Sequence, residues 1–169
     1  MTEHPPLKTV ADLKLPRYLG TWYEICRLPL KWEPEGARDI TATYKLNEDG
    51  TIRVDNRCLD EEGKPTQALG QAKPVDDSNA RLTVSFLPEY LRWIPFTKGD
   101  YWIIRLTEDY GVSLVGTPDR RNLWLLARRH DLPQAMRDDY LATARAEGFD
   151  LSALITPTQS GKMVEIPPA

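Results

Sequence analysis

Thr41-Ala42-Thr43-Tyr44-Lys45-Leu46, then Asn47-Glu48-Asp49-Gly50, then Thr51-Ile52-Arg53-Val54-Asp55-Asn56-Arg57-Cys58 is the stretch that decides the fold. In the last run Ile52, Val54, Asn56 and Cys58 alternate with Arg53, Asp55 and Arg57, while the middle run is rich in turn-forming residues. Side chains of a strand point alternately to its two faces, so period-two runs joined by an Asn/Asp/Gly turn predict an antiparallel hairpin. The same pattern predicts further strands near 67–74, 81–87, 101–106, 112–117 and 122–128. Turns fall at Asp76-Asp77-Ser78-Asn79, Glu108-Asp109-Tyr110-Gly111 and Thr117-Pro118-Asp119-Arg120. With the run from Gly20 to Leu28 the strands number eight. One helix follows: Pro133 suits its first turn, Met136, Tyr140 and Ala144 recur at i+4, and Gly148 suits the position just past its end.

Eight hairpin-linked strands that must hide their edges favour a closed antiparallel up-and-down barrel, all-β with the C-terminal helix packed outside. A sandwich stays open on pattern alone. Eight strands leave an interior wide enough for side chains or one small ligand.

Composition narrows the function classes. The 169 residues carry 22 basic and 25 acidic side chains, a net charge of −3, which gives no basic footprint for nucleic acid. No apolar run approaches the roughly 18 residues of a membrane span. The start, Met1 to Gly20, has neither a basic-then-apolar leader nor a cysteine for a lipid anchor, so the expectation is a cytoplasmic protein. A chain whose leader had been cleaved would read the same, which leaves the periplasm and outer membrane as the alternative. With only His4 and His130, neither a histidine-rich metal centre nor a Ser-His-Asp site is favoured, and no catalytic residue, metal or cofactor is assigned.

Three motifs carry a resemblance. Tyr18-Leu19-Gly20-Thr21-Trp22-Tyr23-Glu24-Ile25 resembles the Gly-x-Trp-Tyr opening of the lipocalins. Thr107-Glu108-Asp109-Tyr110 resembles the family's Thr-Asp-Tyr turn with one residue more, and Leu123-Trp124-Leu125-Leu126-Ala127-Arg128 its last strand, ending in Arg. The phrases Gly116-Thr117-Pro118-Asp119-Arg120, Leu82-Thr83-Val84-Ser85-Phe86 and Arg145-Ala146-Glu147-Gly148-Phe149-Asp150 look like the bacterial, outer-membrane-lipoprotein and apolipoprotein D-like branch. The resemblance spans residues 13–160, between an N-terminal tail (1–12) and a C-terminal tail (161–169). In a closed barrel the first and eighth strands are neighbours, so the Arg128 guanidinium can cover the Trp22 indole and plug the base, a structural role worth about 0.5–2 kcal/mol.

Alternation then assigns the inner wall. Ile40, Ala42, Tyr44 and Leu46 share one face; Ile52, Val54, Asn56 and Cys58 another; Leu82, Val84 and Phe86 a third. By resemblance Tyr101 and Ile103 face in and Trp102 out. A cavity lined by Ala42, Tyr44, Val54, Ala72, Val84, Phe86, Tyr101, Ile103, Val115 and Trp124 is apolar, with room left by Gly70, Ala72 and Ser113. That suits a long-chain fatty acid or lysophospholipid, stored or transported rather than chemically changed. A barrel filled by its own side chains is the rival reading. A haem or tetrapyrrole carrier using Tyr44 or Tyr101 is the alternative function, followed by an isomerase with an inward Cys26 or Cys58 as nucleophile.

Cys26, Trp22 and Glu24 share a face, so both thiols are expected inside but too far apart to pair. Glu24 and Arg105 are expected near the closed end, either as an ion pair on the cavity floor or with Arg105 solvated instead. Trp32, Tyr90, Trp93 and Phe96 lie in loops at the far rim, where they would gate the mouth; peripheral membrane contact and a homodimer are the other uses of such a surface.

Overall fold

In the computed structural model, which describes residues 5–30, 36–86 and 98–167, each predicted strand is present. They are β1 (Gly20–Arg27), β2 (Arg38–Leu46), β3 (Ile52–Leu59), β4 (Pro65–Pro74), β5 (Arg81–Ser85), β6 (Gly99–Leu106), β7 (Val112–Gly116) and β8 (Leu123–Ala127). Each pairs antiparallel with the next, and β8 returns to β1, closing the barrel. Closure pairs both edges of every strand, which removes the exposed edge that an open sheet would present. A short helix α1 (Leu15–Tyr18) precedes the barrel, and α2 (Gln134–Ala146) follows it. Pro133 stands at the N-cap of α2. Gly148 closes the other end at φ +96°, with Gly148 and Phe149 N–H donating to the Arg145 and Ala144 carbonyls.

Two apolar cores share one wall. Inside the barrel Trp22, Tyr44, Ile52, Val54, Ala72, Leu82, Ile103, Val115 and Leu126 form a continuous cluster. Outside, Leu114, Leu125 and Ala127, which alternate with those residues, bury Tyr140, Leu141 and Ala144 of α2. Hence β7 and β8 read as nearly unbroken apolar runs, being covered on both faces. Gly116 belongs to this packing, because a Cβ there would meet the Phe149 ring at 2.6 Å.

Two β-bulges overturn two expectations. The β1–β8 register slips between Glu24 and Cys26, so Ile25 and Cys26 both join the outer core beneath α2. Cys26 is therefore not inward; the extra residue turns Arg27 in instead, opposite Trp124. The β6–β7 register slips between Ile103 and Arg105, which carries Arg105 to the outer face. There its guanidinium lies 4.0 Å over the Tyr140 ring and bonds Asp139 Oδ2 at 2.9 Å and Thr143 Oγ1 at 3.0 Å, clamping α2. Glu24 instead pairs with Arg27, Oε2 to Nη1 at 3.0 Å, both buried. One inserted residue inverts every later side chain of its strand, which is why alternation failed here. Leu46, expected on the inner face, sits at the strand end and is exposed.

β1 and β2 hydrogen-bond only over Gly20–Tyr23 and Thr41–Tyr44. Above that, the C-terminal segment fills the gap. Ile155 forms a two-bond bridge with Arg27, and Asp39 N–H donates to the Thr158 carbonyl. The Gln159 amide reaches both the Glu24 and Ile40 carbonyls, at 2.8 and 2.9 Å.

Candidate ligand-binding site

The closed end of the barrel is where the three motifs meet. Arg128 stacks on Trp22, 3.8 Å from guanidinium carbon to ring centre. Its nitrogens also donate to the carbonyls of Arg17, Tyr18, Thr21 and Tyr110. Gly20 lies at φ +102°, and a Cβ there would sit 3.2 Å from the Arg128 Nη1. The left-handed backbone there favours glycine, and any Cβ would also crowd the guanidinium. Thr107 Oγ1 bonds Asp109 Oδ1 and accepts from the Gly111 and Val112 N–H groups, which shapes the turn that holds Tyr110. Tyr110 in turn carries Arg17 on its ring and accepts from Lys14 N–H. Val10, Leu13, Leu15 and Leu19 complete the seal beneath the inner cluster.

Above this plug, strand registers bring the expected wall residues into rows. Trp22 lies opposite Ala42, and Ala42 opposite Asn56. Tyr44 faces Val54, which faces Gly70. Ala72 lies between Ile52 and Val84, and Val115 between Ile103 and Trp124. Nine of the ten expected wall residues belong to the single inner cluster: Ala42, Tyr44, Val54, Ala72, Val84, Tyr101, Ile103, Val115 and Trp124. The tenth, Phe86, follows β5 and is 46% exposed; its ring occupies the space over Gly70, where a Cβ would meet it at 2.8 Å. Ala42, Val84, Tyr101 and Trp124 pack on the inner cluster yet keep part of their surface accessible.

The floor is polar. Tyr18, Tyr44 and Tyr101 form a triangle of rings with centroids 5.9–6.5 Å apart. Their hydroxyls link in a chain, Tyr44 to Tyr101 at 2.9 Å, Tyr101 to Tyr18 at 2.7 Å, and Tyr18 to Ser113 Oγ at 2.9 Å. Burial pushes the Tyr18 phenol up to about 12 and raises Tyr44 and Tyr101 well above the ordinary tyrosine range. All three are neutral donors at physiological pH, and that protonation state is poorly suited to phenolate ligation of haem iron. Tyr18 was not assigned to the wall from sequence because α1 is a single turn without periodicity; only its place beside Gly20-Thr21-Trp22 hinted at a role.

Glu24 and Arg27 add a buried charged pair on the same inner face as Trp124. Cys26 lies under α2, and burial pushes its thiol up to about 12, so it is an inert packing residue. Cys58 keeps the face of Ile52 and Val54 and touches Thr66 Oγ1 at 2.9 Å, and Cys26 and Cys58 are not joined in a disulfide. Trp32, Tyr90, Trp93 and Phe96, assigned to the rim, lie outside the described residues. Among the described residues no group of three or more His, Cys, Asp or Glu side chains is placed to hold a metal.

Comparison with known proteins agrees with this architecture. A family model for the lipocalin-like domain matches residues 13–159. The chain belongs to the lipocalins. The family is known for binding small hydrophobic ligands, and its members are mainly binding and transport proteins. This lipocalin is 38% identical over 163 residues to temperature-induced lipocalin-1 of Arabidopsis thaliana, covering 95% of this chain and 87% of the relative. It is 37% identical to the outer membrane lipoprotein Blc of Citrobacter freundii (93% and 86% covered) and 33% identical to apolipoprotein D of Macaca fascicularis (92% and 80%). Together these relatives mark it as a bacterial-type lipocalin. Insecticyanin of the tobacco hornworm Manduca sexta shares the fold at TM-score 0.70 and 20% identity, over 92% of this chain and 85% of that one.

Proposed function

We propose that this lipocalin binds one long-chain fatty acid or lysophospholipid and stores or carries it unchanged. The observation that carries this reading is the set of inward residues Ala42, Val84, Tyr101 and Trp124, apolar or aromatic, that remain accessible above a sealed floor. Apolar surface removed from water there gives about 25 cal/mol per Å², enough for an alkyl chain to bind without any reaction. An isomerase reading loses one of its two nucleophiles, since Cys26 is outside the barrel. Relatives named as outer-membrane lipoproteins favour action at the envelope over the cytoplasm. The reading is tested by solvent extraction and mass spectrometry of the purified protein, with titration of a fluorescent fatty acid in parallel. A co-purifying acyl lipid and saturable one-to-one uptake are expected. An empty extract together with no saturable uptake would sink the carrier function.

A further inference from the structure

The hydroxyl chain on the floor leaves a proton to spare. Tyr44, Tyr101, Tyr18 and Ser113 contribute four O–H groups, and three hydrogen bonds join them. Each bond consumes one proton, whichever partner donates, so one O–H is left over in every arrangement of the chain. Among the described residues none of the four hydroxyls makes a further hydrogen bond. Ser113 is fully enclosed and Tyr18 nearly so, whereas Tyr101 keeps accessible surface and Tyr44 stands next to it. The surplus donor is therefore best presented into the chamber by Tyr101 or Tyr44. A donor held against apolar walls without an acceptor is costly, and a plain methyl-ended chain reaching the floor would leave it so.

We propose that this floor is a hydrogen-bond-donating subsite, led by Tyr101 and Tyr44, that selects apolar molecules carrying a neutral oxygen acceptor at the end that enters first. A hydroxyl, ketone or ester oxygen meets that requirement. The two cations flanking this wall are both engaged: Arg27 pairs with Glu24, and Arg128 is turned beneath Trp22 and donates to four carbonyls. A carboxylate would be desolvated there without a paired charge, which favours the neutral acceptor.

This inference rests on the carrier reading, so the experiment separates the two. Displacement of a bound fluorescent fatty acid is measured with octadecanoic acid and with the same acid bearing a ketone or a hydroxyl at its far end. The proteins are the wild type, Tyr101→Phe and the Tyr44→Phe/Tyr101→Phe double variant, with circular dichroism and Tm showing that each is folded. The oxygenated acid is expected to bind the wild type about five- to tenfold tighter than the double variant, the worth of one neutral hydrogen bond. Octadecanoic acid is expected to change less than twofold or to gain affinity. Equal changes for both acids, or none, would overturn the subsite while leaving the carrier intact; the second result is also what an ordered water satisfying the donor would give. If the wild type takes up neither acid nor the fluorescent probe, the carrier reading itself fails.

Discussion

Arg128 does its work because its planar group can do two things at once. One face lies on Trp22 while its nitrogens donate to the carbonyls of Arg17, Tyr18, Thr21 and Tyr110, tying four backbone groups to one side chain. Arg128→Ala removes both, and a loss of about 3 kcal/mol is expected, lowering Tm by about 6–12 °C in a chain of this length. Arg128→Lys should recover less than half, because an ammonium has no flat face and no fork; thermal unfolding checks both. Asp55 shows the same logic on the outside of β3. Burial alone would raise its carboxyl, but hydrogen bonds from Arg57 and Gln67, with the Arg57 and Arg53 charges, hold it below the ordinary aspartate value. A carboxyl depressed in the folded state stabilises the fold above the ordinary value of about 3.9, and that stability is lost as pH falls through the folded value. Asp55→Asn should therefore cost about 1–2 kcal/mol at pH 7 and progressively less toward pH 2–3, as read by urea unfolding at both ends.

At the scale of the strands, what could be read from sequence and what could not divide cleanly. Where pairing is unshifted, alternation gave the observed face of Ala42 and Tyr44 on β2, Val54 on β3 and Val84 on β5, while Leu46 and Phe86, at or past their strand ends, are exposed. It failed at Cys26 and Arg105, each just past a bulge. A bulge has no compositional mark here, since Ile25 and Ile104 look like ordinary strand residues and only the partner strand reveals the extra position. The seam between β1 and β2 was equally hidden, because residues 155–160 have neither strand nor helix periodicity, yet they satisfy the backbone that the split exposes. Gln159→Ala removes both bonds to the Glu24 and Ile40 carbonyls. A cost of about 1–3 kcal/mol is expected, with faster amide exchange confined to the upper halves of β1 and β2. Exchange that rose uniformly over all eight strands would show that the segment does not act at this seam.

The molecule as a whole separates two tasks that one core would confuse. Rigidity comes from outside, where Tyr140, Leu141 and Ala144 of α2 are buried against the apolar face of β7 and β8, and from the plug below. On the carrier reading proposed above, the barrel's inner face can then stay incompletely filled, at a cost that a bound ligand would recover. Ala42→Trp tests this division directly. Position 42 lies opposite Trp22 and Asn56 with partly accessible surface, so an indole there occupies ligand space and adds apolar contact. A fatty acid at 100 times its Kd should stabilise the wild type by about 2.7 kcal/mol, a Tm rise of about 5–11 °C. The filled variant should show no such rise, with an unliganded Tm equal to or above that of the wild type. A variant that still responds to ligand would place binding somewhere other than this chamber. One that loses both the response and several degrees of Tm would mean the interior was already full.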